Sequence, residues 1–398
     1  LLAADARSLV EDVRRRGVWE LRRRFSEAMS PSIWSERKEI GHGLNQIMRA
    51  ISVTNRDFLA RLPAATAEPA FSLSFVVPIF RTPRAWLEQL VASMKNQTDH
   101  DFEAVFVFDG PQPELEAALA DGLDGTFAHR VLVLPENRGV SAASNAGIRE
   151  STGEFLMVVD HDDVLERHLV EAFHRASAAE PADIYYADEA ITDAQMQLVR
   201  SVASRGQFDI RHYLSHPYIV HPIMVRRTVA EGAGLFDETL RVSHDVDFFL
   251  RCVARARCVV QIPLVLYFWR THASSLGHAA MDAVYDNTSA SVRAYLAGLP
   301  GGAGFEVRRG INFNELDIRP PVPEGLRVAI VIPTKNGLGV LQQCLASIQT
   351  RAASNRVPAD VIVVDHESDD PQTLAYLASE REAGRIQVAR HVGPWNYS

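Results

Sequence analysis

The sequence predicts an α/β protein built on a mostly parallel sheet with helices on both faces. Three observations carry this. Short apolar runs recur from residue 71 onward, at 75–79, 102–108, 131–134 and 155–159, each long enough for one buried strand. Between the first two, Trp86, Leu87, Leu90, Val91 and Met94 fall at helical spacing and predict the buried face of a helix. Strand and helix alternating at this spacing predict parallel strands joined by crossover helices. In such sheets ligands sit beyond the carboxyl ends of the strands.

A chain of 398 residues, 47% apolar, can form two or three domains with a sizeable core. A formal charge of −9 argues against a general nucleic-acid binder, which needs a basic face. No apolar run reaches the length of a membrane span. The chain opens Leu1-Leu2 rather than with Met, which is compatible with a removed leader. Cys252, Cys258 and Cys344 have neither metal-ligand nor C-x-x-C spacing and fit buried thiols in a reducing cytosol. The triplets Arg14-Arg15-Arg16 and Arg22-Arg23-Arg24 read as a solvated helix face, with peripheral membrane association as the alternative.

Residues 1–70 read as a helical extension. Val10, Val13, Val18 and Leu21 give a loose stripe, and Leu44, Ile47, Met48 and Ile51 mark a second helix over 42–60. Residues 62–69 read as a linker. After the first strand, Thr82-Pro83 supplies an N-cap and a proline at the first helical position. The loop at 80–83 carries no G-x-G-x-x-G and no Walker lysine, so neither a dinucleotide fold nor an NTPase cradle is expected. The second strand ends at Asp109-Gly110. Asn137-Arg138-Gly139 then opens a helix of small residues through Asn145-Ala146-Gly147. Arg138 there is either an exposed loop arginine or a charged donor to a phosphate.

The densest chemistry lies at 154–163. The fourth strand ends in Asp160, Asp162 and Asp163, three carboxylates within four positions. Like charges so close repel, and a divalent cation with oxygen ligands removes that cost. Manganese or magnesium held this way binds substrate phosphate at its remaining positions. The plain alternative is an acidic turn whose Asp163 caps a helix starting near Glu166. Without a glycine-rich nest, phosphates would have to be neutralised by the aspartates and their metal.

Beyond Asp163 a strand at 184–187 runs into Asp188-Glu189. Residues 190–216 have weak periodicity and read as a substrate loop, and 218–225 reads as another strand. Val246, Phe249, Leu250 and Val253 mark a helix with Asp245 and Asp247 in its first turn. These acids either complement the helix dipole or include a catalytic carboxylate. A strand at 264–269 leads to Arg270-Thr271-His272, where His272 is either a neutral imidazole ligand or a surface histidine. A helix is expected over 281–299, and Gly- and Pro-rich residues 301–326 read as a linker. A repeat follows. Val328-Ala329-Ile330-Val331-Ile332-Pro333 copies the first strand, and Val361-Ile362-Val363-Val364-Asp365 the second, at nearly one offset. The copy stops at Ser398 before any counterpart of Asp160–Asp163, so 327–398 reads as a partial, truncated second module.

Together these segments resemble the inverting glycosyltransferases of family two. The matching pieces are Val76-Val77-Pro78, Phe108-Asp109-Gly110, 137–147, Val159-Asp160-His161-Asp162-Asp163, His244-Asp245 and Trp269-Arg270-Thr271-His272. Asp-His-Asp-Asp, Tyr-Ala-Asp-Glu at 186–189 and Gly393-Pro394-Trp395-Asn396-Tyr397-Ser398 look like large two-module bacterial enzymes of O-antigen and related surface-polysaccharide synthesis. The resemblance covers 71–300 well and 327–398 as a partial copy. It implies the GT-A fold for both. It implies that Pro78, Asp109, Arg138, Asn145, Asp160 and Arg270 bind the nucleotide sugar, with Asp109 on the base and Arg270 closing on the diphosphate. Asp162, Asp163 and His272 would hold the metal, and Asp245 would be the general base. Two positions depart from the family pattern: Phe108 stands where an acid is usual, and His244 where Glu is common.

The implied reaction is a metal-dependent inverting transfer from a UDP-, dTDP- or GDP-linked sugar to a glycan or lipid-linked glycan. It would take place in the cytoplasm at the inner face of the membrane, without nucleic acid. A nucleotidyltransferase that makes the sugar nucleotide would want a lysine-bearing glycine-rich loop after the first strand. A non-catalytic glycan-binding or scaffold protein is the reading from another class.

Overall fold

The computed structural model describes residues 40–61, 71–272, 281–312, 314–352 and 357–393. The arginine triplets and the stripe at 10–21, the linker at 62–69 and the final run at 394–398 lie outside the described residues.

Helix α1 (Ile40–Leu59) precedes the sheet and packs on it through Ile51, Phe58 and Leu59; Asn55 Nδ2 donates to Val265 O at 2.9 Å. All seven residues of β1 (Leu73–Ile79) are buried. A continuous apolar run can sit only where both faces of a sheet are covered. Pro78 stands two residues past the last rung that β1 shares with β4, so its missing N–H leaves no rung open on that side. Helix α2 (Arg84–Lys95) buries Leu87, Leu90, Val91 and Met94. Two expectations fail here. Trp86 is only half-buried, and Thr82 makes no cap because Pro83 occupies that position without a side-chain bond.

Strand β2 (Phe102–Phe108), helix α3 (Pro113–Gly122), β3 (Ala128–Val133), α4 (Val140–Glu150) and β4 (Phe155–Val158) complete a parallel quartet in the order β3-β2-β1-β4. The small residues of α4 let it lie close on the sheet. A Cβ on Gly147 would stand 2.5 Å from Val76 Cγ1 and 2.9 Å from Val107 Cγ2. Gly147→Ala should therefore destabilise the fold by about 1–3 kcal/mol, the usual cost of overpacking, measured as a lower denaturant midpoint with unchanged slope. Unchanged stability would mean that α4 stands further from the sheet.

Strand β5 (Val164–Leu165), α5 (Leu169–Ala179), β6 (Ile184–Thr192), β7 (Val199–Ala203), α6 (Ile210–Ser215), β8 (Ile223–Arg226), α7 (Arg227–Gly232), α8 (His244–Val253) and β9 (Val259–Arg270) extend the sheet to nine strands. The order is β3-β2-β1-β4-β8-β6-β9-β5, with β7 on β6. The α/β class and the mostly parallel sheet stand. Strands β1, β2, β3, β4, β6 and β9 share one direction, because β8 is antiparallel to both β4 and β6.

Residues 190–216, expected as a loop, instead continue β6, turn into β7 and form α6. Their periodicity is weak because β6 is buried along almost its whole length and α6 has only six residues. Helix α5 begins at Leu169 with His168 at its cap, so Asp163 does not cap it. Cys252 is buried, but Cys258 is exposed and Cys344 intermediate, against the expectation of buried thiols.

Helix α9 (Met281–Ala297) is followed by an antiparallel hairpin of β10 (Glu306–Arg309) and β11 (Leu316–Arg319), inside the stretch expected as a linker. Val307 and Leu316 join Val292 and Leu296 of α9 in one core cluster. Single apolar residues between turn formers are too sparse to register as strands in the sequence.

The first compact unit ends at Arg319 and the second starts at Pro320. The second contains β12 (Val328–Thr334), α10 (Leu338–Ala352), β13 (Ala359–His366), α11 (Pro371–Glu382) and β14 (Gln387–His391), all parallel in the order β12-β13-β14. This repeats the topology of β1, β2 and β3. The register moves one sequence match: Pro78 pairs with Val107 and Pro333 with Val364, so Asp365 stands at the place of Phe108, not of Asp109. No described helix is long and apolar enough to cross a membrane.

Candidate active site

Asp160, Asp163 and His221 offer one ligand atom each within 4.8 Å of one another at the tip of β4. The chain builds this cluster in two steps. Val159 N donates to Val76 O, so β4 runs beside β1 up to Asp160. A turn closed by Asp163 N to Asp160 O at 3.3 Å then leads into β5 on β9. That pairing puts Asp163 under the end of β9, where its Oδ1 accepts from Arg270 N at 2.7 Å. Its other oxygen, Oδ2, is buried without a hydrogen-bond partner. Burial, then the charge of Asp160, holds Asp163 well above the usual carboxylate range. Burial against the strand raises Asp160 as well, and Asp162 adds to it, although about half of the Asp160 side chain is open.

His221 arrives from the segment before β8. Its Nδ1 lies 2.5 Å from Glu189 Oε2, its Nε2 lies 3.7 Å from Asp160 Oδ2, and its ring stacks on Tyr267 at 4.7 Å. Burial alone would lower its pKa. The charge and hydrogen bond of Glu189, with Asp160 and Asp163 behind them, outweigh that and push it to about 9. Sequence reasoning missed His221. It shares no spacing with the aspartates, and its only signal was a histidine before a proline close to a strand. Glu189, noted as the end of a strand, is the residue that orients it. Glu189 Oε1 in turn takes the guanidinium of the buried Arg205.

Asp162 and His272, expected beside Asp163 as metal ligands, form a pair of their own: His272 Nε2 lies 2.7 Å from Asp162 Oδ2. Asp162 is outside the three-residue cluster, although its charge still acts on both Asp160 and Asp163. Arg270 is 1% exposed. Its guanidinium donates to Ala194 O at 2.8 Å, Gln89 Oε1 at 2.6 Å and Asp162 O, and lies 4.8 Å over the Trp86 ring. In this conformation each of its three nitrogens donates once to a neighbouring loop or helix and ties them together.

Asp109, Arg138 and Asn145 lie along a second chain of contacts. Asp109 is 2% exposed and accepts from Asn137 Nδ2, Arg138 N and Gly139 N at 2.7, 2.7 and 2.8 Å. Gly139 has a φ of +97°, and a Cβ there would stand 2.3 Å from Arg241 Nη1, so the loop needs glycine. Arg138 pairs with Glu238 at 2.8 Å, and Asn145 holds Phe236 N, Phe236 O and Glu238 Oε1. These residues fix the segment that leads into α8.

At the start of α8 the two acids differ. Asp247 is bound to Arg251 at 2.5 Å. Asp245, half-buried, makes no hydrogen bond or ion pair among the described residues. Its charge reaches the buried Tyr213 hydroxyl, and that of the preceding His244 reaches Asp160.

Glycosyl transferase family 2 matches residues 74–220, a span that holds β1, the aspartate turn and Glu189. Residues 74–220 form a family 2 glycosyltransferase domain. An uncharacterized protein y4gI of Sinorhizobium fredii is 28% identical over 337 residues, covering 82% of this chain and 36% of that protein. The O-antigen biosynthesis protein RfbC of Myxococcus xanthus is 27% identical over 312 residues, covering 77% of this chain and 24% of RfbC. The chain thus spans about a third and a quarter of the lengths of these relatives. The S. aureus TarS 1–349 structure in complex with UDP aligns at 15% identity with a TM-score of 0.48, over 57% of this chain and 66% of that one. The glycosyltransferase domain carries the whole acid–imidazole cluster except His221, which directly follows the matched span.

Proposed function

We propose that the glycosyltransferase domain moves a sugar from a nucleotide-diphosphate donor to a bacterial surface glycan of O-antigen type, with inversion at the anomeric carbon. The observation that supports this most is the cluster of Asp160, Asp163 and His221 beyond the carboxyl end of β4, where open α/β sheets bind ligands. The donor set fits a divalent cation. Two carboxylates and an imidazole converge, beside the Tyr267 hydroxyl that interacts with Asp163. The imidazole makes manganese a better fit than magnesium, whose shell is built from oxygen. When bound, the cation supplies positive charge for the departing diphosphate.

The chain's own residues do the rest. Glu189 holds His221 by Nδ1, which leaves Nε2 aimed at Asp160 and the cluster. Asp245, with no hydrogen bond or ion pair among the described residues, is available to take the proton of the acceptor hydroxyl as it attacks. Asp109, Arg138, Gly139 and Asn145 hold the segment before α8 and so position that base. We infer that the work takes place in the cytoplasm, at the inner face of the membrane, where a lipid-linked acceptor would present itself.

The test uses the full chain with UDP-, dTDP- and GDP-sugars, with and without manganese. A donor of the right kind raises the melting temperature, and its slow hydrolysis is stimulated by manganese and stopped by EDTA. No binding of any sugar nucleotide, with or without manganese, removes the proposal.

A further inference from the structure

A cavity of about 310 Å³ lies beside the acid–imidazole cluster and shares a wall with it. Its polar lining is Glu189, Ser204, Arg205, His212, His216 and Tyr218. Glu189 is the shared wall, because the same carboxylate bonds His221 on one side and Arg205 on the other. The aromatic side of the cavity is a platform: His212 stacks on Tyr218 at 4.4 Å and 23°, and His216 lies 6.4 Å from His212.

Polar capacity is left over. The Arg205 side chain is 5% exposed, yet its Nε is buried with no hydrogen-bond partner. The imidazole nitrogens of His212 and His216 make no hydrogen bond among the described residues. Arg205 Nε has almost no accessible surface, so the groups open to a ligand include the exposed imidazoles of His212 and His216. The volume is at the lower end of ligand pockets, roughly that of ten water molecules. It holds one ring with its substituents rather than a whole nucleotide sugar. A pyranose has what this lining lacks: a C–H face for the ring platform and hydroxyls that accept from Arg and His and donate to Glu. Tyr213, next to His212 on α6, packs on Tyr218 at 5.9 Å.

We propose that this cavity is an acceptor subsite, which seats one pyranose unit of the acceptor glycan beside the reacting centre. The inference rests on the transferase reading above and adds the substrate contact on the acceptor side. It makes His212, Tyr218 and Arg205 specificity-determining residues.

The test is saturation-transfer NMR on the full chain with the methyl pyranosides of glucose, galactose, mannose and N-acetylglucosamine. It is run on the wild type, His212→Ala and Gly206→Phe. Gly206 lines the cavity, and a Cβ there meets no atom within 4 Å, so a large side chain can be added without a clash at its base. A UDP titration with manganese on each protein reports on the other site. The expected result is saturable binding of at least one pyranoside by the wild type, weakened tenfold or more in both variants, with UDP affinity within twofold. The inference is overturned if UDP binds but no pyranoside does, or if pyranoside binding is unchanged in both variants at equal melting temperature. Pyranoside binding that the variants lose, in a protein that never binds UDP, keeps the cavity as a glycan site and removes the transferase reading instead.

Discussion

Asp245→Asn leaves UDP binding intact and lowers transfer by about 10²–10⁴-fold, the range over which a positioned general base acts. The change is nearly isosteric and removes only the ability to take a proton. Because Asp245 makes no hydrogen bond or ion pair among the described residues, no internal partner is orphaned, and the melting temperature should stay within a degree or two of wild type. Its helix neighbour is the control. Asp247→Asn breaks the 2.5 Å pair with Arg251, so it costs some stability but little turnover per folded molecule. Equal transfer by Asp245→Asn and wild type would take Asp245 out of the reaction. Equal losses in both variants, tracking their stability, would assign the effect to folding of α8.

Asp163→Asn abolishes the manganese dependence of UDP binding, with a loss of affinity of about 100-fold or more, whereas Asp162→Ala costs about tenfold or less. Asp163 lies in the cluster with Asp160 and His221, while Asp162 is paired with His272 outside it. Groups that only support metal ligands change affinity by about 10–100-fold, so a direct ligand should exceed its neighbour. Isothermal titration of UDP with and without manganese separates the two variants. If Asp162→Ala is the variant that loses metal dependence, the Asp162, Asp163 and His272 set expected from the sequence is the working one.

The contrast between these two triads shows where sequence reading runs out. Strand β4 and the carboxylates after it were legible because an apolar run must be buried and three charges cannot follow it there. Which two carboxylates share a site with an imidazole was not legible, since His221 reaches Asp160 and Asp163 from a distant segment. Nor was the role of Asn145 or Asp109. Both stand out in the sequence as polar groups beside small residues, and both use their hydrogen bonds on neighbouring loops.

What the sequence alone determined is the alternation of strands and helices, the carboxyl-end position of the acids and the partial repeat after residue 327. Each of these follows from local periodicity, which needs no knowledge of what lies opposite. The tertiary structure decided that His221, not His272, joins Asp163, that Glu189 and Arg205 stand behind it, and that residues 301–319 fold as part of the first unit. These are contacts between segments far apart in the chain. Their partners are selected by the packing of β6, β8 and β9 into one sheet, and no spacing along the sequence encodes that.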